Sequence, residues 1–246
     1  MSQTIRSQSK TGIWLGRAVI VSVVVALVLA FASPREVNLG QSARLFYLHV
    51  PSITVAYLAF TATLIASAGY LITKRMSWDH VAAAAAEVGA VFTGLTILIG
   101  MIWAKPTWGV FWTWSARLTL TAIMFFVYLG YLALRRAIVD PEVRARRAAI
   151  LGMLSIVQIP IVHFSVTWWR DIHQLGTLAS PTGMQMDTSL LIAFLAALAA
   201  FVLFATMLVW DRYDLAAIEY RLETNHPSVG VVAGDAVTAP VLAGEA

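Results

Sequence analysis

Residues 13–32, IWLGRAVIVSVVVALVLAFA, carry a single charge, on Arg17, within a run of aliphatic, aromatic and small side chains. A helix needs roughly 20 apolar residues to cross a hydrocarbon layer about 30 Å thick, so this run has the length of a membrane span. The residues that follow, FASPREVN, lack a clean small-x-small cleavage site ahead of a soluble domain. We therefore expect a first transmembrane helix that is retained, rather than a signal peptide.

Five further runs of this kind occur along the chain, at about 51–73, 83–104, 118–134, 149–166 and 189–210. A chain with 59% hydrophobic and 12% charged residues could not fold as a soluble globule without large exposed apolar patches. We predict an all-α polytopic membrane protein with six transmembrane helices in one membrane domain, 1–224. The segment DRYDLAAIEYRLE is expected to extend the sixth helix, and the Gly-, Ala-, Val- and Pro-rich tail, 225–246, is expected to be disordered in the cytoplasm.

The distribution of lysine and arginine predicts the orientation, because basic residues accumulate on the cytoplasmic side of a membrane. Of the 17 basic residues, twelve lie in the termini and the even-numbered loops: Arg6, Lys10, Arg17, Lys74, Arg75, Arg135, Arg136, Arg144, Arg146, Arg147, Arg212 and Arg221. The odd-numbered loops hold the other five: Arg35, Arg44, Lys105, Arg117 and Arg170. We therefore predict that both termini are cytoplasmic. The basic cluster RRAIVDPEVRARR is expected to lie near anionic headgroups of the membrane lipid. The net charge of +4 therefore requires no nucleic-acid partner.

The residues with distinctive chemistry lie in the predicted outward loops. Cysteine is absent, which excludes disulfides and thiolate metal sites in this chain, and no phosphate-binding glycine loop, HExxH or nucleophile elbow occurs. ARLFYLHVPS places His49 just before the second helix, where Pro51 suits the first turn. KPTWGVFWTWSARLT, residues 105–119, follows the third helix, and HFSVTWWRDIHQLG, which contains His173, spans the end of the fifth.

The five histidines differ in their surroundings. His80, in a short cytoplasmic loop, and His226, in the tail, are expected to be solvated polar residues. His163, inside the fifth helix, is interpreted as a structural hydrogen-bonding residue, although polar residues within membranes are functional often enough to keep a second role open. His49 and His173 flank an aromatic loop at equivalent positions, which favours them as metal ligands.

Two imidazoles, several indoles and nearby arginines suit haem. Haem is a flat, largely apolar ring whose iron takes axial nitrogen ligands and whose two propionates attract cations. If WGVFWTWSAR is helical, Trp108, Phe111, Trp112 and Ser115 share one face and Trp114 points elsewhere. An interfacial aromatic belt is the alternative, but it explains less well why Trp103, Trp108, Trp112 and Trp114 concentrate in one outward loop.

WGVFWTWSARLT resembles the tryptophan-rich motif of the haem-handling proteins of cytochrome c maturation, and ARLFYLHVP, GAVFTGL, KPTWG and HFSVTWWRDIHQLG are similar to the CcmC branch of that family. The resemblance covers the six predicted helices. It implies that His49 and His173 are the axial haem ligands and that the tryptophan loop cradles the ring. It also implies four partners: the ABC transporter subunits CcmA and CcmB, the small membrane protein CcmD, and the periplasmic chaperone CcmE, which receives haem covalently on a histidine. At Ser115 the family motif usually carries aspartate.

The residues and the resemblance together give one hypothesis: haem b is held at the periplasmic face of the bacterial inner membrane and presented to CcmE. The expected haem-binding residues are His49, His173, Trp108, Trp112, Trp114, Arg44 and Arg117, the two arginines as propionate partners. Such a protein delivers haem rather than acting as a conventional enzyme.

Two alternatives remain from other functional classes. A b-type electron-transfer cytochrome also uses two histidines, but usually places them within the span on facing helices. A secondary transporter is expected to show inverted repeats and broken helices at mid-membrane, and neither is visible in the sequence. Glu87, the one carboxylate inside a predicted span, is expected to reach water at the cytoplasmic end of its helix.

Overall fold

The computed structural model describes residues 10–36, 39–169, 171–173 and 187–225. Within these ranges the chain is helical and has no β-strand. The helices are α1 (Lys10–Ala32), α2 (Phe46–Thr73), α3 (Met76–Trp108), α4 (Ala116–Ala137), α5 (Pro141–Ser155), α6 (Gln158–Trp169) and α7 (Thr188–Asn225), with a short 3₁₀ helix, Gln41–Leu45, before α2. Six spans of these described residues, with α5 and α6 forming one, are long and apolar enough to cross a membrane. The predicted all-α, six-span membrane fold is thus confirmed.

Successive spans run in opposite directions, which gives the bundle two distinct ends. His49, Trp108 and His173 lie at one end, which we call the site end; there α1, α3 and α6 finish and α2, α4 and α7 begin. The opposite end carries the short α2–α3 and α4–α5 connections and the last described turn of α7. The outward orientation of the site end stays a prediction, and the proposed tail lies outside the described residues except for Asn225.

Small residues allow the central helices to pack closely. α2 and α3 form the most extensive pair, and the face of α3 toward the bundle is rich in buried alanine. A side chain on Gly89 would overlap the ring of Phe60, which is fully buried. Lipid is as apolar as the side chains, so no hydrophobic effect drives helices together in a membrane. Membrane helices therefore associate through close van der Waals contacts at small residues. α1 packs chiefly against α7 at the edge of the bundle.

The third span is longer at both ends than the predicted 83–104. At the opposite end it includes Asp79, whose carboxylate forms a two-pronged ion pair with Arg135 at 2.6 and 2.7 Å, so the charge is neutralised inside the bundle. At the site end α3 continues through Pro106 to Trp108. Lys105 Nζ then donates to the carbonyl of Gly109 at 2.8 Å, and Gly109, with a φ of 80°, ends the helix.

The fifth span is broken, unlike the continuous helix predicted at 149–166. α5 ends at Ser155 and α6 begins at Gln158, so the break lies four residues before Pro160. Proline lacks the N–H that would bond to the carbonyl of Ile156, and its ring crowds that carbonyl. The side-chain amide of Gln158 donates through Nε2 to the backbone carbonyl of Ser155 at 3.3 Å, which satisfies one backbone group at the break.

The predicted extension of the last helix is part of α7, and it binds the opposite end of the bundle. The side chain of Glu87 is 34% exposed and so reaches water, and it also pairs with Arg212 at 2.6 Å. The prediction that His80 is solvated is wrong: His80 is only 7% exposed, and its ring lies 6.0 Å from Tyr213 and 5.5 Å from Tyr220. Helix α7 covers this histidine, a tertiary contact that the loop position could not reveal.

Candidate functional site

His49 lies inside α2, not before it as predicted, because the 3₁₀ turn leads directly into a helix that begins at Phe46. Its imidazole packs against α3. A Cβ on Gly100 would lie 2.9 Å from His49 Cε1, and the ring of Trp103 stands edge-on to the imidazole at 5.8 Å. The glycine provides the space and the indole a wall, so α3 fixes the position of His49.

His173 lies beside the last residue of α3. Its imidazole stands edge-on to the indole of Trp108, with 4.9 Å between ring centroids. Its Nδ1 is 3.2 Å from Oδ1 of Asp171, a carboxylate whose side chain is fully buried. The last two turns of α3 therefore hold a tryptophan against each histidine, Trp103 against His49 and Trp108 against His173.

The prediction that Trp108 and Trp112 share a helical face is wrong. Gly109 adopts the left-handed conformation that ends α3, and the chain is non-helical until Ala116. Trp112 instead packs edge-on against Trp114, at 5.7 Å. The Trp114 side chain is 82% exposed, which makes it the most accessible aromatic group of this loop.

The two candidate arginines are both anchored by hydrogen bonds to backbone carbonyls. Arg117 Nη2 donates to the carbonyl of His163 at 2.7 Å, and the side chain of His163 is exposed. Arg44 Nη2 donates to the carbonyls of Phe31 and Ser33, at 2.8 and 3.3 Å, where α1 ends. In both guanidinium groups Nε is buried without a hydrogen-bond partner.

Several buried polar atoms at the site end have no hydrogen-bond partner. Among the residues that the structure describes, those at this end are Arg44 Nε, Trp103 Nε1, Trp112 Nε1, Thr113 Oγ1 and Arg117 Nε. Buried polar groups are nearly always paired in native proteins, and an unpaired group points to a ligand, ion or water. Two indoles and two guanidiniums with unpaired nitrogens, together with the imidazoles of His49 and His173, fit a largely apolar, anionic, metal-bearing ligand such as haem.

Burial and hydrogen bonds shift the pKa values of two groups at the site end that lie outside the spans. Burial lowers the pKa of His173, and the hydrogen bond to Asp171 offsets part of that shift. Burial would raise the pKa of Asp171, but hydrogen bonds from the Arg117 N–H and from His173 bring it below its usual value. His173 is therefore favoured as the neutral imidazole, the form that binds metals.

Three residues of this site were not among the predicted haem-binding residues: Gly100, Asp171 and Trp103, of which only Trp103 was noted, as one of the concentrated tryptophans. Trp103 is one turn after Gly100, and a glycine one turn before a tryptophan near the end of a span could have indicated a close contact. Asp171 is two residues before His173, a spacing that could have indicated a hydrogen bond between the side chains. Arg170, between Trp169 and Asp171, lies outside the described residues.

An apolar cavity of about 440 Å³ lies elsewhere, between α2, α3 and α7. Its walls include Val55, Ala59, Val202 and Val209. None of the side chains that line it is a histidine, so this cavity does not share the chemistry of the site end.

Six membrane-length spans with two imidazoles, an aromatic loop and unpaired buried nitrogens at one end define a polytopic membrane protein with a ligand site at the end of its bundle. The chain belongs to the Heme exporter protein C family, whose model matches residues 2–227.

Relatives from bacteria and plants support this assignment. The Heme exporter protein C of Bradyrhizobium diazoefficiens is 37% identical over 195 residues, which cover 79% of this chain and 74% of the relative. The protein of the same name from Haemophilus influenzae is 34% identical over 83% of this chain and 80% of its own length. A putative cytochrome c biosynthesis ccmC-like mitochondrial protein of Marchantia polymorpha is 35% identical over 79% of this chain and 77% of its own.

Proposed function

We propose that this protein binds haem b at the site end and delivers it to the haem chaperone CcmE during cytochrome c maturation. The site end faces the periplasm, and the protein lies in the bacterial inner membrane. It works with CcmA and CcmB, the subunits of an ABC transporter, and with the small membrane protein CcmD. Family membership and the six spans support this proposal.

The observation that carries the proposal is the placement of both histidines along the end of α3. Trp103, which contacts His49, and Trp108, which contacts His173, are five residues apart on this helix. At 1.5 Å and about 100° per residue, this corresponds to about 7.5 Å along the helix axis and about 140° around it, so the two tryptophans leave the same end of α3 in different directions. One helix end thus presents two imidazoles, each with an indole edge beside it.

The ligand set also suits haem better than a bare metal ion. Within the described ranges no group of three or more His, Cys, Asp or Glu side chains could hold a metal. Haem supplies an iron whose ring nitrogens fill four positions, so that two imidazoles complete the coordination. His49 and His173 would hold the iron, and Trp108, Trp112 and Trp114 would contact the ring or its edge. The partly unpaired guanidiniums of Arg117 and Arg44 would bind the propionates.

Location at the end of the bundle suits delivery, because a partner protein can reach a ligand there without entering the membrane. The exposed Trp114 and the half-exposed Phe111 offer an accessible aromatic edge next to the site. A haem held within the span by histidines on facing helices would instead favour an electron-transfer cytochrome.

Transfer of haem from purified protein to CcmE tests the proposal. The haem-loaded protein is mixed with CcmE, and haem that stays on CcmE in a denaturing gel is measured by haem staining. We expect loading by wild-type protein and by His163→Ala, in which an exposed imidazole is removed, and none by His49→Ala or His173→Ala. Loading by all four at one rate would contradict the proposal, and rapid reduction by quinol without loading would favour the electron-transfer cytochrome.

A further inference from the structure

Helix α4 begins without a hydrogen bond from its own cap residue. Ser115 occupies the cap position with extended backbone angles, but its side chain caps no N–H of the helix, and its hydroxyl instead interacts with the carboxylate of Asp171. A serine in this position normally accepts a hydrogen bond from one of the first free N–H groups of the helix. The first turn of α4 therefore needs an acceptor from elsewhere.

Asp171 provides that acceptor from a loop 54 residues further along the chain. Its Oδ2 accepts from the backbone N–H of Arg117, at 2.6 Å. Arg117 is the second residue of α4, and a negative charge at a helix start also interacts favourably with the helix dipole. The side chain of Asp171 is fully buried, so water competes little for this contact.

The second oxygen of the same carboxylate contacts His173. Oδ1 accepts from the backbone N–H of His173 at 3.3 Å and lies 3.2 Å from its Nδ1. An ionised carboxylate can only accept, so Nδ1 carries the proton in this contact, and Nε2 keeps its lone pair. The ring is also held from the side by Trp108.

We infer that Asp171 is a positioning residue of the site: one buried carboxylate caps α4 in place of Ser115 and fixes the tautomer and orientation of the His173 imidazole. It thereby joins the loop that carries one ligand to the helix that carries Arg117. The inference rests on the proposed function where it treats His173 as a haem ligand. A carboxylate bound to the far nitrogen of a ligating imidazole makes that imidazole a stronger electron donor, which favours ferric over ferrous iron.

The test uses Asp171→Asn in the full-length protein, with Asp187→Asn as the matched control. An asparagine has one acceptor oxygen, so it cannot serve both Arg117 and His173. Asp187 caps α7 at the same end of the bundle through Ser189 N and Oγ, at 2.8 and 2.6 Å. We expect Asp171→Asn to lower haem affinity by about tenfold or more and to shift the haem potential to more positive values, whereas Asp187→Asn changes neither. Equal affinity and potential in both variants would overturn the inference.

The double variant Ser115→Asp with Asp171→Asn separates the two roles of the carboxylate. Asp171→Asn alone should also lower the thermal unfolding midpoint, because the first turn of α4 loses a charged acceptor. Aspartate at the cap position of α4 should restore that midpoint but not the potential. If both return to wild-type values, Asp171 acts through α4 alone and the inference is wrong.

A haem-free measurement separates this inference from the proposed function. Nitrogen-15 chemical shifts of His173 in the haem-free protein should report a proton on Nδ1 in the wild type and a changed tautomer balance in Asp171→Asn. A wild-type protein that binds no haem but shows this difference would contradict the proposed function and support the positioning role. An identical tautomer in both proteins would contradict the positioning role.

Discussion

The imidazole of His49 lies so close to Gly100 that a Cβ there would sit 2.9 Å from His49 Cε1 and 3.3 Å from Nδ1. The ring has an indole, Trp103, on another side. Helices α2 and α3 thus approach each other at the site end through a glycine, as they do further along at Gly89. The missing side chain at Gly100 thus leaves the space that the imidazole of His49 occupies.

Replacing Gly100 with alanine should displace the His49 ring. Overpacking of this kind costs about 1–3 kcal/mol, and we expect haem affinity to fall about tenfold, which corresponds to 1.4 kcal/mol. Titration of haem into the haem-free protein measures this loss. Gly130→Ala on α4 is the control, since a Cβ there meets nothing within 4 Å. Equal affinities of the two variants would show that Gly100 does not position His49.

Truncation of Trp108 should weaken the site without unfolding the bundle. Trp108→Ala removes the edge-on contact with His173, and such an aromatic contact contributes about 1 kcal/mol beyond area burial. We expect normal protein levels and less haem per molecule. Trp14→Ala, which removes an indole that is 65% exposed on α1, should leave the haem-to-protein ratio unchanged. Depleted protein with a normal haem ratio in Trp108→Ala would instead indicate an aromatic belt.

The ion pair between Asp79 and Arg135 should govern stability rather than haem binding. Their side chains are 3% and 13% exposed, and breaking a buried pair typically costs about 3–5 kcal/mol because one charge stays buried and unpaired. We expect Asp79→Asn to lower the thermal unfolding midpoint strongly while the surviving protein binds haem normally. Glu223→Gln, which breaks a more exposed pair with Arg144, should cost under about 1 kcal/mol. Similar midpoints for the two variants would contradict this account.

Acid should destabilise the haem-free protein partly through His173. Burial lowers the pKa of this residue, so the folded protein binds fewer protons there than the unfolded chain. Its contribution to stability is therefore complete above the unfolded value, about pH 6.5, and is lost as the pH falls through the lower folded value. Melting temperatures measured between pH 8 and pH 5 should fall less steeply for His173→Ala than for the wild type. Parallel curves would contradict the prediction.

Hydropathy was sufficient to predict the six spans, because lipid requires long apolar helices whatever their packing. The helix boundaries depended on local details that hydropathy does not carry. The third span runs past its apolar run because Asp79 is neutralised by Arg135, a residue 56 positions away. The break at Ile156 was detectable in principle, since Pro160 removes the hydrogen bond to that carbonyl.

The candidate site was predictable in its composition and not in its geometry. The histidines and tryptophans stood out in an aliphatic sequence, but the shared face of Trp108 and Trp112 required a helix that Gly109 ends. The contacts of His49 with Gly100 and of Asp171 with Arg117 join different helices and loops, and no periodicity within one segment encodes them. The start of α4 at Ser115 is explained only by the distant carboxylate of Asp171, which accepts from the backbone N–H of Arg117.

The central claim is that His49 and His173 bind haem together, and absorption spectra of the purified variants test it most directly. The wild type and His163→Ala should show the six-coordinate, low-spin spectrum of iron with two imidazoles, since the side chain of His163 is exposed. His49→Ala and His173→Ala should each lose that spectrum, with haem-to-protein ratios that fall in the same samples. A low-spin spectrum and full haem content in both of these variants would contradict the claim.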